Sequence, residues 1–89
     1  MYATFERFEL RMTRAQAESA SQPGKDAAED VAELLKDRRI TRQLDKIGPD
    51  PIRAELADYG CWDDDELADD EANRERIVWL AAGDIKEGV

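Results

Sequence analysis

The last third of the chain, YGCWDDDELADDEANRERIVWLAAGDIKEGV from Tyr59 to Val89, constrains the fold most. It holds both tryptophans, the single cysteine and the densest run of acids. Tyr59-Gly60 marks a turn, because glycine accepts the left-handed conformation that follows a helix. Asp63 with Glu66 three residues on resembles a capping box, with Asp in the Ser/Thr role. Beyond it, Leu67, Arg74, Val78, Ala81 and Ile85 fall near one helical face, and Ile77 and Ala82 widen that face. Trp79 and Leu80 extend the apolar surface almost all round. The expectation is one continuous helix, wet in its N-terminal half and deeply buried in its C-terminal half. Ala81-Ala82-Gly83 would allow another helix to approach closely. Both tryptophans are expected in the core, given the apolar area each removes from water. Trp62 should fix where the helix starts, and Cys61 reads as a small half-buried apolar residue.

Upstream, turn signals divide the chain into short helices. Residues 2–12 are ambiguous. Phe5 and Phe8 suit a helix, whereas Phe8, Leu10 and Met12 alternate as a strand would. A strand alone in a helical protein lacks a partner, so helix or an extended arm packed on the core is expected. Thr13 is an N-cap candidate for RAQAESA, which Ser21-Gln22-Pro23-Gly24 should stop. KDAAEDVAELLK, residues 25–36, is the clearest amphipathic helix, with Ala27, Ala28, Val31, Leu34 and Leu35 at three- and four-residue spacing. Residues 37–47 continue it or form another helix, with Ile40, Leu44 and Ile47 on one face. Arg38, Arg39, Arg42 and Lys46 surround that face, either solvated or meeting the chain's own acidic stretch. Gly48-Pro49-Asp50-Pro51 is a sharp break, with Asp50 as N-cap and Pro51 at the first helical position. Ile52, Leu56 and Tyr59 then offer a core face. The fold class expected is therefore all-α: a single domain, residues 1–89, of four to five short helices, with 2–12 helical or extended.

Composition narrows the chemistry. The chain has 89 residues, one cysteine and no histidine. Zinc sites of ordinary type, His-based triads and Cys–His dyads cannot be assembled from it. One cysteine also excludes an internal disulfide and fits a reducing compartment. The N-terminal MYATFERFELRM lacks an uninterrupted apolar run, and no stretch approaches the ~20 apolar residues of a membrane span. A cytosolic protein is expected, with no membrane partner. Twenty-two acids against thirteen bases leave a net charge of −9, which repels nucleic acid and favours basic surfaces.

The acids are concentrated. Asp63, Asp64, Asp65, Glu66, Asp69, Asp70 and Glu71 lie between Trp62 and Ala72 with no base among them. One helix start accounts for two or three. The others repel at three- and four-residue spacing by ~0.2–0.5 kcal/mol per pair. An EF-hand loop is excluded by the missing central glycine and the helical pattern. Paired hydrolytic carboxylates lack companion residues. Two readings remain: a solvated helix start, or an acidic face for Lys and Arg of a partner, in which carboxylates take the places of nucleic-acid phosphates. Asp64, Asp65, Glu66, Asp69, Asp70 and Glu71 are the expected contacts. No enzyme, cofactor or metal is expected.

A resemblance adds to this reading. Tyr59, Gly60, Trp62, Asp63, Asn73, Trp79, Ala81, Ala82, Gly83, Asp84 and Ile85 look like a motif set of small acidic proteins from bacterial prophages and mobile elements. A weaker likeness runs through PGKDAAEDVAELL. In size and acidity the chain also resembles anti-CRISPR proteins, a likeness of type and not of motif. That resemblance implies direct binding to a Cas surveillance complex and a block on target DNA. The alternative is a structural or regulatory interaction module, homodimeric through an exposed apolar face.

Overall fold

The computed structural model describes residues 2–20 and 27–87. In chain order the elements are strands β1 (Tyr2–Thr4) and β2 (Glu9–Arg11) and helices α1 (Arg14–Ala20), α2 (Ala27–Leu34), α3 (Arg38–Ile47), α4 (Pro49–Tyr59), α5 (Asp64–Leu67) and α6 (Asp70–Glu87). The fold is mostly helical and not all-α. There are six helices among the described residues, and residues 2–11 form a β-hairpin.

The period-2 signal at Phe8, Leu10 and Met12 marks a true strand. Its partner lies seven residues upstream, where Ala3 pairs with Leu10 in antiparallel register. The turn between them is closed by the Phe5 N–H donating to the Phe8 carbonyl at 2.8 Å. The two phenyl rings meet at 5.1 Å between centroids and cover the core edge. Ala3 and Leu10 point inward and are fully buried, so the hairpin is anchored by apolar burial as well as by its ladder.

Helix α6 is the spine. Helices α1, α2 and α4 and strand β1 all pack against it. Ile77, Val78, Ala81, Ala82 and Ile85 are buried along its inner side. Helix α1 follows a reciprocal cap: Gln16 N–H donates to Thr13 Oγ1, and Thr13 N–H donates to Gln16 Oε1. Its Ala17 and Ala20 are buried in the core, small faces suiting close contact with α6. The stop expected at Ser21–Gly24, the helix start at 25–26 and the side chains of Ala27 and Ala28 lie outside what the structure describes. Val31 and Leu34 are buried as expected, and Leu35 is half-buried.

Helix α3 starts at Asp37, whose carboxylate accepts from the Arg39 N–H at 2.8 Å. Ile40 and Leu44 are buried, and Ile47 packs against the core edge. The break at 48–51 differs from the expectation by two residues. Gly48 is the N-cap of α4 with φ +86°, Pro49 opens the helix, and Asp50 sits in its first turn. Glycine suits that positive φ, and proline at the first position forfeits an N–H that the helix could not use.

Two sequence expectations about aromatics fail. Tyr59 is 49% exposed and Trp79 is 47% exposed. In α4 the inward position goes to Glu55, only 5% exposed, instead of Tyr59. In α6 the helix packs on one side only, so Trp79 falls on the outer face. Trp62, by contrast, packs against the core as expected. No helix is long and apolar enough to cross a membrane, among the described residues.

Candidate protein-binding surface

The expected continuous helix from Asp63 onward is two helices. Asp63 caps α5 by the foreseen box: its carboxylate accepts from the Glu66 N–H at 2.9 Å, and Glu66 Oε1 accepts from the Asp63 N–H at 3.3 Å. The helix then stops at Leu67. Asp69 acts as a second N-cap, its carboxylate accepting from the Ala72 N–H at 3.1 Å and its carbonyl accepting from Asn73 N–H. Seven acids therefore serve two helix starts. Each start has an Asp cap and further acids in its first turn, where the helix dipole favours them. The excess of carboxylates that one helix start leaves unexplained is largely removed by the second.

A clamp of three side chains makes this break. Asn73, 1% exposed, donates from Nδ2 to the Leu67 carbonyl at 2.8 Å. Arg53 of α4 donates from Nε to the same carbonyl at 3.1 Å. Arg76 donates from Nη1 to the Glu66 carbonyl at 3.0 Å and to Asn73 Oδ1 at 2.9 Å. These bonds serve the Leu67 carbonyl at the end of α5 and add to the Glu66 carbonyl, which also accepts from the Asp69 N–H at 3.3 Å. Arg76 also lies over the Trp62 ring, 5.4 Å from its centroid, which ties the turn before α5 to α6.

The six sequence-derived contact residues are all exposed and share this one region. Three of them have structural work. Glu66 closes the capping box, Asp69 caps α6, and Asp70 pairs with Arg53 Nη2 at 3.0 Å. Asp64, Asp65 and Glu71 make no side-chain hydrogen bond or ion pair among the described residues. Among the described residues, the Arg38–Lys46 side of α3 does not neutralise the acids; the ion pair from α3 to the last helix runs the other way, from Asp45 to Arg74 at 2.6 Å.

Asp50, expected as the N-cap of α4, sits instead in its first turn and joins the acidic surface. It lines an open groove of about 380 Å³ with Arg53, Ala54, Ala57, Asp64, Leu67 and Ala68. The lining joins Leu67 and three alanines to the charged side chains of Asp50, Asp64 and Arg53. The sequence signal was present: an acid in the first turn after Gly48-Pro49 belongs at a helix head.

A second polar constellation holds the hairpin down. Glu55 Oε1 accepts from the Arg7 backbone N–H at 2.7 Å and from Arg7 Nη1 at 3.3 Å. Arg7 Nη1 also donates to Asp58 Oδ2 at 2.6 Å. The hydrogen bond to Asp58 leads in raising the guanidinium above its ordinary value, with Glu55 adding to it. Tyr59 is also raised, first by partial burial and then by the negative charges of Glu55 and Asp84. This cluster is an anchor between the hairpin turn and α4. Cys61, expected half-buried, is exposed. Among the described residues no group of three or more potential ligands is placed to hold a metal ion. No known protein family, curated protein or solved structure matches the chain.

Proposed function

We propose that the protein is a non-catalytic binding protein that docks onto a cationic protein surface through the joined heads of α4, α5 and α6. The observation that carries this reading is the set of exposed carboxylates at Asp50, Asp64, Asp65 and Glu71. They have no cationic partner among the described residues, and Asp50 and Asp64 flank one groove. A lysine or arginine of the partner fits that groove by its two parts. The aliphatic stem lies on Ala54, Ala57 and Ala68, and the charged head reaches Asp50 or Asp64. Arg53 lines the same groove, and its guanidinium is engaged by the Leu67 carbonyl and Asp70. The net charge of −9 adds long-range attraction that speeds encounter and falls with salt.

The likeness in size and acidity to anti-CRISPR proteins gives the proposal a specific target. In that form the cationic surface is the nucleic-acid-binding surface of a CRISPR–Cas surveillance complex, and occupation of it blocks target DNA. The test is fluorescence anisotropy of labelled target DNA with the host's surveillance complex, titrated with this protein. Displacement of DNA that weakens with added salt supports the reading. DNA binding unaffected by saturating protein removes the Cas target.

A further inference from the structure

The cations of this chain are not shared out evenly among its acids. Arg7, Arg14, Lys36, Arg53 and Arg74 each pair with a carboxylate. Arg11, Arg38, Arg39, Arg42 and Lys46 pair with none among the described residues, although acids outnumber bases by 22 to 13. All of them are exposed, and they share one surface. Arg38, Arg39, Arg42 and Lys46 lie on the side of α3 away from the buried Ile40 and Leu44. Gln43 brings Arg11 of β2 to the same side. Its Oε1 accepts from the Arg11 N–H at 2.6 Å, and its Nε2 donates to the Arg11 carbonyl at 2.8 Å.

This stripe costs the fold something. Arg42 stands three or four residues from Arg38, Arg39 and Lys46, a spacing at which like charges repel. Arg38 and Arg39 open α3, whose dipole disfavours cations there, and its first turn contains no acid. Beside the stripe runs an open groove of about 390 Å³, lined by Phe8, Glu9, Arg11, Gln43, Lys46 and Ile47. Phe8 and Ile47 give it apolar surface, and Arg11 and Lys46 bring two cations of the stripe to its edge. The Arg11 guanidinium lies over the Tyr2 ring, 5.5 Å from its centroid.

We propose that this surface binds single-stranded nucleic acid, with backbone phosphates along Arg38, Arg39, Arg42 and Lys46 and a base in the groove against Phe8. A row of cations beside an aromatic face is what an unpaired strand requires, because every base has a face to stack. Four of the five cations are arginines, whose planar forks match phosphate oxygens. Glu9 repels a phosphate but accepts from the amino group of a base, so the groove suits the base end of a nucleotide. The net charge of −9 selects the form of the ligand. A duplex carries one phosphate per about 1.7 Å of length, twice the density of one strand, and is repelled more. The inference does not rest on the acidic surface, which lies on other elements.

Fluorescence anisotropy tests this with a labelled single-stranded DNA of about 12 nucleotides, its duplex and labelled polyglutamate, across a salt series. The wild type is expected to bind the single strand most tightly, and less tightly as salt rises. Arg39→Gln, Arg42→Gln and Lys46→Gln, combined in one chain, should weaken binding at least tenfold and lower the salt slope by about 2, at ~0.7 per phosphate contact. An abasic strand of the same length should bind the wild type several-fold more weakly with the same salt slope. Asp64→Asn, Asp65→Asn and Glu71→Gln, combined, should bind the strand at least as tightly as wild type. That separates this surface from the acidic one, whose loss is expected to weaken DNA displacement. No binding of the single strand at low salt overturns the proposal. So does a triple α3 variant that binds as wild type does, or duplex or polyglutamate bound as tightly as the single strand.

Discussion

Asn73 Nδ2 donates to the Leu67 carbonyl across the bend between α5 and α6, at 2.8 Å and out of contact with water. This bond turns one long acidic helix into two short helix heads. Asn73→Leu keeps the volume and removes the donor. The Leu67 carbonyl is left with Arg53, and Arg76 loses one acceptor. The expected cost is about 1–3 kcal/mol, read as a lower urea midpoint with an unchanged slope. Faster amide exchange should be confined at first to residues 67–73.

Glu55 ties the hairpin turn to α4 from a buried position, so its replacement should act at a distance. Glu55→Gln keeps an acceptor for the Arg7 N–H and gives up the ion pair. Glu55→Ala gives up both and is expected to cost about 1–3 kcal/mol, with the glutamine variant between it and wild type. Hydrogen exchange at the Arg7 amide distinguishes local release from global loss. It should rise far more in the alanine variant.

The Tyr59 phenol should titrate above its ordinary value of 10.0, as burial and the charges of Glu55 and Asp84 disfavour the phenolate. The burial is partial, since 49% of the residue stays exposed, and the carboxylates act in the same direction. In the fold the proton is held longer than in the unfolded chain. The contribution to stability is therefore unchanged below pH 10 and falls as pH rises from there through the folded value. Ultraviolet titration in a Tyr2→Phe background, which leaves one phenol, measures this. Asp84→Asn should move the midpoint back toward 10.

The two caps should separate structural from free acids. Asp69→Ala removes the bond to the Ala72 N–H and is expected to cost about 1 kcal/mol. Asp64→Asn and Asp65→Asn break no side-chain hydrogen bond or ion pair among the described residues and should change stability by no more than about 0.5 kcal/mol. Thermal melts of the three variants decide it. An Asp69, Asp70 and Glu71 triple alanine variant would mix lost structure with lost charge, as it removes a cap and the Arg53 partner together.

Local chemistry made much of this readable from the chain alone. Thr13, Gly60 and the Asp63–Glu66 box act as their residue types dictate, and Ile40, Leu44, Leu56 and Val78 take the buried positions that helical spacing assigns. What spacing does not report is which side of a helix has neighbours. Trp79 lies where α6 has none, and Tyr59 yields its inward place to Glu55. The hairpin was obscured because Tyr2–Thr4 is only three residues long and carries no strand signal of its own. The break at Ala68-Asp69 needs a buried asparagine six residues from the carbonyl it binds and an arginine from another helix. No one-dimensional pattern contains that pairing. The acidic surface was legible as composition, but its division into caps, one ion pair and free carboxylates was not.

The central claim is that Asp64, Asp65 and Glu71 are the free acids that meet a cationic partner. The most direct measurement compares wild type with Asp64→Asn, Asp65→Asn, Glu71→Gln, combined in one chain, for displacement of DNA from the surveillance complex across a salt series. Unfolding midpoints should agree to within about 1 kcal/mol of stability. The expected result is weaker displacement by the variant, with a shallower dependence on salt than wild type. Equal potency and equal salt dependence in the two proteins would contradict the claim.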